Sequence, residues 1–107
     1  MERGEVWWVN FDPSLGGEIQ KLRPAVIVSN DVSNKVMNRV QVIPITSQVE
    51  KCFPCEAYVT VNGRFGKAMA DQLTTASKQR FKQKMGRVSH EELFGIEQAI
   101  KLQLSLS

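Results

Sequence analysis

The run Pro24-Ala-Val-Ile-Val-Ser29 is nearly continuous in apolar side chains. A strand that faces water on one side alternates; this one does not, so it reads as a strand buried on both faces. Only 107 residues are given to surround it, which suits one compact domain (residues 1–107) with a modest core. Arg23 stands at the mouth of this strand. Pro44-Ile45-Thr46-Ser47 closes the next apolar run, so a hydroxyl pair stands at the exit of another. A fixed guanidinium and two hydroxyls at strand ends suit an anion better than a core. Between them, FDPSLGGEIQKLR supplies adjacent glycines and a carboxylate, Glu18, five residues ahead of Arg23. That loop reads as a rim or lid over a phosphate site, or as an ordinary turn with a solvated arginine.

Short β-like runs dominate the rest. Glu5 to Phe11 is rich in aromatic and β-branched residues, and Val40 to Thr46 alternates, with Pro44 marking a bend or edge. Asn30 to Asn38 is polar and turn-like, its Asn and Asp able to cap. Glu56 to Val61 is a fourth strand, ended by the turn signal Asn62-Gly63, and Lys67 to Leu73 returns as a fifth. Thr75 to Phe81 suits a short helical turn. Lys82 to Val88 is one more strand, with Gly86 marking a bulge or close approach. Only the C-terminus reads as a helix: Ser89-His90-Glu91-Glu92 is a capping box, and Leu93, Ile96, Ile100 and Leu104 follow at helical spacing. The expectation is mainly β, five or six strands in a strongly bent or barrel-like sheet with a terminal helix. Its edges are open to a partner subunit.

Composition narrows the classes. Fourteen Lys and Arg against eleven Asp and Glu give a formal charge of +3, a mild lean toward polyanions. No apolar stretch approaches the roughly 20 residues of a membrane span. MERGEVWWV lacks the layout of a secretory signal, so a cytoplasmic setting without membrane is expected. Cys52-Phe53-Pro54-Cys55 lies in a polar loop rather than at a helix start. With His90 alone to add, it falls short of the about four ligands zinc takes, so no metal site or cofactor is expected. Trp7 and Trp8, adjacent on a strand, face opposite sides.

Taken in order, MERGEVWWVNFDP, GGE followed by RPAVIVSND, VIPITS, Ala70-Asp71-Gln72 with TASKQRF, and the capped helix resemble the MazF/PemK toxins of bacterial toxin–antitoxin modules. The resemblance runs almost end to end. It implies a small SH3-like barrel of the CcdB/MazF/PemK type, a homodimer, and an endoribonuclease cutting single-stranded RNA, mRNA foremost. It also implies inhibition by a cognate antitoxin protein. Position by position, Arg23 and Thr46 match the pair acting on the scissile phosphate, with Ser47 beside it, and Glu18 matches an acidic position before that arginine. Asn30 and Gln72 match base-contacting positions, and Asp71 an acidic one used as a base in some members. The histidine and arginine proposed for the PemK branch fall here on Gly17 and Met69. The catalytic expectation is therefore Arg23, Thr46 and Glu18, with Asn30, Ser47, Asp71 and Gln72 holding RNA. A non-catalytic module on the same barrel, gripping a protein such as DNA gyrase, is the competing class; a plain SH3-like adaptor is a third.

Overall fold

Alternation along β2 (Leu22–Ile27) buries Ala25 and Ile27 against one apolar cluster and Val26 against another. Its neighbours β1 (Glu5–Asn10) and β3 (Arg39–Thr46) do the same, placing Val6 in one cluster and Val9 in the other. The expected two-faced burial is therefore present and extends over three central strands. The computed structural model describes every residue except Ser14, Ile19 and Gln20. Its described residues form seven strands in one curled antiparallel sheet, in the order β4-β5-β3-β2-β1-β7, with β6 also paired to β3. The remaining strands are β4 (Glu56–Val61), β5 (Arg64–Met69), β6 (Thr74–Ser77) and β7 (Phe81–Arg87). A short helix α1 (Asp31–Val36) follows β2, and α2 (His90–Gln103) ends the fold. No helix among the described residues is long and apolar enough to cross a membrane.

β3 is the strand on which the curl turns. One edge pairs β2 up to Ala25 opposite Pro44; the other pairs β6 through Arg39 to Val42, then β5 from Ile45. Pro44 has no N–H to offer a ladder and sits between the β6 and β5 pairings. At the far side, β7 bulges: Val6 pairs Gly86 and Trp7 pairs Lys84, leaving Met85 out of register. A Cβ at Gly86 would lie 2.9 Å from Val61 Cγ1, so glycine lets the β7 edge close upon β4. Both readings of Gly86 hold.

Several local expectations give way to tertiary context. The fifth strand begins and ends earlier, at Arg64–Met69, because Ala70–Gln72 tightens into a 3₁₀ turn. Thr74–Ser77 is strand rather than helical turn, since Arg39 to Val42 offers an unpaired edge; the turn is confined to Lys78–Arg80. Asn30 does cap, and the polar segment after it closes into α1. Along α2, Ile96 and Ala99 are buried, whereas Leu104 is the C-cap and half exposed.

The capping box forms as expected: Ser89 Oγ accepts from Glu92 N at 3.1 Å, and Glu92 Oε1 from Ser89 N at 2.8 Å. Glu92 Oε2 also accepts from Thr60 N at 2.7 Å, fastening the helix to β4. Glu92→Ala is expected to lower stability by about 1–3 kcal/mol, and Ser89→Ala by about 1 kcal/mol, in urea melts.

Glu5 is buried at the other end of β1, next to Lys84 at 3.1 Å and Arg87 at 3.6 Å. Burial alone would raise its pKa. Hydrogen bonds from Trp7, Glu2 and Lys84 outweigh this and bring it down from 4.5 to about 2. A carboxyl depressed on folding stabilises above its unfolded pKa and loses that contribution as pH falls through the folded one. Glu5→Gln should therefore cost on the order of 2–3 kcal/mol near neutrality. The difference from the parent should shrink between pH 4.5 and 2 in thermal melts.

Candidate nucleic-acid cleft

The β2–β3 ladder ends at Ala25 opposite Pro44, and Arg23 and Thr46 each stand two residues past that end. Arg23, Thr46 and Ser47 all line one cleft of about 100 Å3, which Trp8, Arg64 and Phe65 also wall. The expected guanidinium and hydroxyl pair is thus brought together. Thr46 Oγ1 accepts from Gln48 N at 3.2 Å, which turns the chain out of β3 and leaves the O–H to donate. Gly66 lets β5 approach: a Cβ there would meet Ile45 Cγ2 at 2.7 Å and the Thr46 carbonyl at 2.8 Å. Arg64 holds its guanidinium 4.9 Å above the Trp8 ring, a cation–π contact that fixes both side chains in the wall. Two guanidinium groups line the cleft, and none of its described lining residues is a carboxylate or a histidine.

Glu18 is not in this cleft. It lines a separate cavity of about 400 Å3 with Asp71, Gln72, Thr74 and Arg80. Its Oε1 accepts from Leu15 N at 2.7 Å, bracing its own loop. Gln72 Nε2 donates to the Gly17 carbonyl at 3.3 Å, so this residue holds the same loop. The lid reading falls partly on Ser14, Ile19 and Gln20, outside the described residues. Asn30 lies beyond the opposite end of β2 from Arg23, where its Oδ1 accepts from Ser33 N at 2.9 Å as the α1 cap. Of the other basic residues, Lys78 donates to the Asn34 carbonyl and Arg80 to those of Asn10 and Asp12, while Lys21 and Lys82 are exposed.

The loop from β3 to β4 rims the cleft through Ser47 and is anchored behind it. Glu56 Oε1 accepts from Lys67 Nζ and from Phe53 N, each at 2.9 Å, and Lys67 also donates to the Lys51 carbonyl at 2.6 Å. This hydrogen bond to Glu56 is the main reason the Lys67 pKa is raised. Cys52 and Cys55 are free thiols here. Burial, then the charges of Asp71 and Glu56, push the Cys55 thiol up, away from a reactive thiolate. Among the described residues no three His, Cys, Asp or Glu side chains gather as metal ligands would.

The family model for PemK-like, MazF-like toxins of type II toxin–antitoxin systems matches residues 2–104. The chain belongs to that family. Endoribonuclease MazF9 of Mycobacterium tuberculosis is 38% identical over 115 residues, spanning 99% of this chain and 98% of the relative. Endoribonuclease toxin MazF of Escherichia coli is 37% identical over 93 residues, 86% of this chain and 83% of its own. Among solved structures, MazF from Deinococcus radiodurans superposes with a TM-score of 0.89 at 24% identity, covering 99% of this chain and 97% of that one. A mycobacterial endoribonuclease in complex with its cognate antitoxin gives 0.85 at 21% identity, covering 100% and 97%. The PemK/MazF barrel expected from the sequence is therefore the fold.

Sequence reasoning missed Arg64 and the inward role of Trp8. Period-two alternation separated the two tryptophans without saying which faces the site. Trp7 is the packed one, edge-on to Phe81 at 6.0 Å with its Nε1 on Glu5. Arg64 follows the Asn62-Gly63 turn, where both φ angles are positive, and that turn was the available signal. Gly66→Ala should destabilise by about 1–3 kcal/mol, because the Thr46 carbonyl as well as the Ile45 side chain blocks the methyl. Gly17→Ala meets nothing within 4 Å and should leave the urea midpoint unchanged.

Proposed function

We propose that this chain is an endoribonuclease toxin that cuts single-stranded RNA at the Arg23/Thr46 cleft. The observation that carries the reading is the lining itself, two guanidiniums and two hydroxyls at the strand ends of a PemK/MazF barrel. The endoribonuclease names of relatives 37–38% identical support it.

RNA brings its own nucleophile, the 2′-OH, so the protein needs neither a covalent intermediate nor a metal to generate one. Attack on the adjacent phosphorus concentrates negative charge on the non-bridging oxygens. Arg23 answers this charge with a planar fork of donors, and Arg64 adds a second cation nearby. The Thr46 hydroxyl donates to a phosphate oxygen or aligns the 2′-OH, with Ser47 as an adjacent donor. Guanidiniums are poor bases. With no carboxylate among the described cleft residues, the reaction rests on charge stabilisation and alignment more than on a strong general base. Glu18 takes that role only through a rearrangement of its loop. The products are a 2′,3′-cyclic phosphate and a 5′-OH end.

Asp71 and Gln72, which line the larger cavity, are proposed to meet RNA away from the cut, where unstacked bases are read along their edges. A cognate antitoxin is the expected inhibitor, since a neighbour of the same fold was solved in complex with one. Pairing of two copies and a cytoplasmic setting complete the proposal.

Incubation with mixed-sequence RNA in excess chelator, followed by sequencing of the new 5′ ends, tests it. Cutting at a short motif with 5′-OH ends is expected. Arg23→Ala should lower kcat/KM by about 100–1,000-fold and Thr46→Ala by about ten-fold. Dependence on added Mg2+, or undiminished cutting by Arg23→Ala, would contradict the mechanism. Glu18→Gln should retain most of the rate.

A further inference from the structure

The sheet face bearing Thr46 continues into an aromatic surface. Thr46 pairs with Lys67 on β5, and Lys67 pairs with Tyr58 on β4. Residues two apart on a strand share a face, so Phe65 lies on this side as well. The Tyr58 and Phe65 rings stack, with centroids 5.1 Å apart and planes inclined by 25°. Yet they remain 44% and 54% exposed.

Their surroundings identify what they fit. Phe65 lines the cleft that Arg23 and Thr46 line. A diagonal neighbour across two strands is about 7 Å away, a gap one nucleotide bridges from its phosphate to its base. The described lining carries two guanidiniums and no acid, a charge complementary to a phosphodiester chain. Single-stranded nucleic acid is commonly held by a cationic track beside exposed aromatic faces, because every base offers a π-face. Tyr58 is braced from behind, its hydroxyl donating to the Val49 carbonyl at 2.8 Å. The pair is therefore a held surface rather than two loose rings.

We propose that the Tyr58–Phe65 stack is a subsite for the nucleobase next to the scissile phosphate, with Phe65 as the contacting ring. This rests on the RNA-cleaving reading of the Arg23/Thr46 cleft. A stacked base anchors the sugar on one side of the phosphate, so the subsite contributes mainly to substrate binding. It is tolerant of base identity.

The experiment uses RNAs containing the mapped cleavage motif, with an abasic nucleotide stepped through the positions flanking the cut. With wild-type protein, kcat/KM should fall about ten-fold when the base at one position is removed. Phe65→Leu should raise KM for intact RNA by about ten-fold with kcat little changed, and should be indifferent to the abasic nucleotide at that position. Phe65→Trp should restore both the low KM and the abasic penalty. An abasic penalty that survives in full in both Phe65→Leu and Tyr58→Leu overturns the proposal. So does conversion of Phe65→Leu to a smaller species in sedimentation, or loss of antitoxin binding with RNA kinetics unchanged; either assigns the stack to a protein contact. Stacking is read without cleavage from 2-aminopurine at the same positions of an oligonucleotide with a 2′-deoxyribose at the cut. Quenching by wild type that Phe65→Leu abolishes is expected, and no quenching at any position refutes the subsite whether or not RNA is cut. Failure of wild type to cut any RNA counts against the cleavage reading alone.

Discussion

Burial of the three central strands on both faces is the constraint from which the site follows. Where Val6, Val9, Ala25, Val26, Ile27, Val42 and Ile43 fill two apolar clusters, no charged side chain can be placed mid-strand without losing its hydration. Polar chemistry is displaced to the strand ends. The antiparallel pairing of β2 with β3 then decides which ends coincide, and it brings the start of one to the finish of the other. Pro44 stands where β3 passes from β6 to β5, so Thr46 ends the strand paired to Lys67 on β5. The cleft is a by-product of how a small chain buries its longest apolar run.

The parts of this arrangement legible in the sequence were those fixed by local pattern. Two-faced burial of Pro24 to Ser29, the hairpin at Asn62-Gly63 and the Ser89/Glu92 cap each follow from the pattern of residues within a few positions of one another. What depended on distant pairing was not legible. Thr74 to Ser77 has the polar, turn-like composition of a loop and becomes strand only because Arg39 to Val42 has an edge to fill. Glu18 is close to Arg23 along the chain, yet it lines a different cavity, the one that Asp71 also lines. Arg64 is far from Arg23 in sequence and reaches the same wall through the β4–β5 hairpin.

The two cavities differ in the charge of their linings. The smaller one is lined by Arg23 and Arg64; the larger contains Glu18 and Asp71 together with Arg80, whose guanidinium is engaged by the Asn10 and Asp12 carbonyls. Among its described residues the first carries positive charge alone, whereas the second mixes groups that accept with groups that donate.

The Lys67–Glu56 pair behind the cleft rim has a consequence for how these positions vary together. Both side chains are nearly shut off from water, and one carboxylate oxygen serves both the ammonium and the Phe53 amide. A lone ion left in that place is far costlier than no ion at all. Substitutions at the two positions are therefore locked together: a chain that gives up the lysine does best to give up the glutamate in the same step, and must then find another anchor for the loop that carries Ser47.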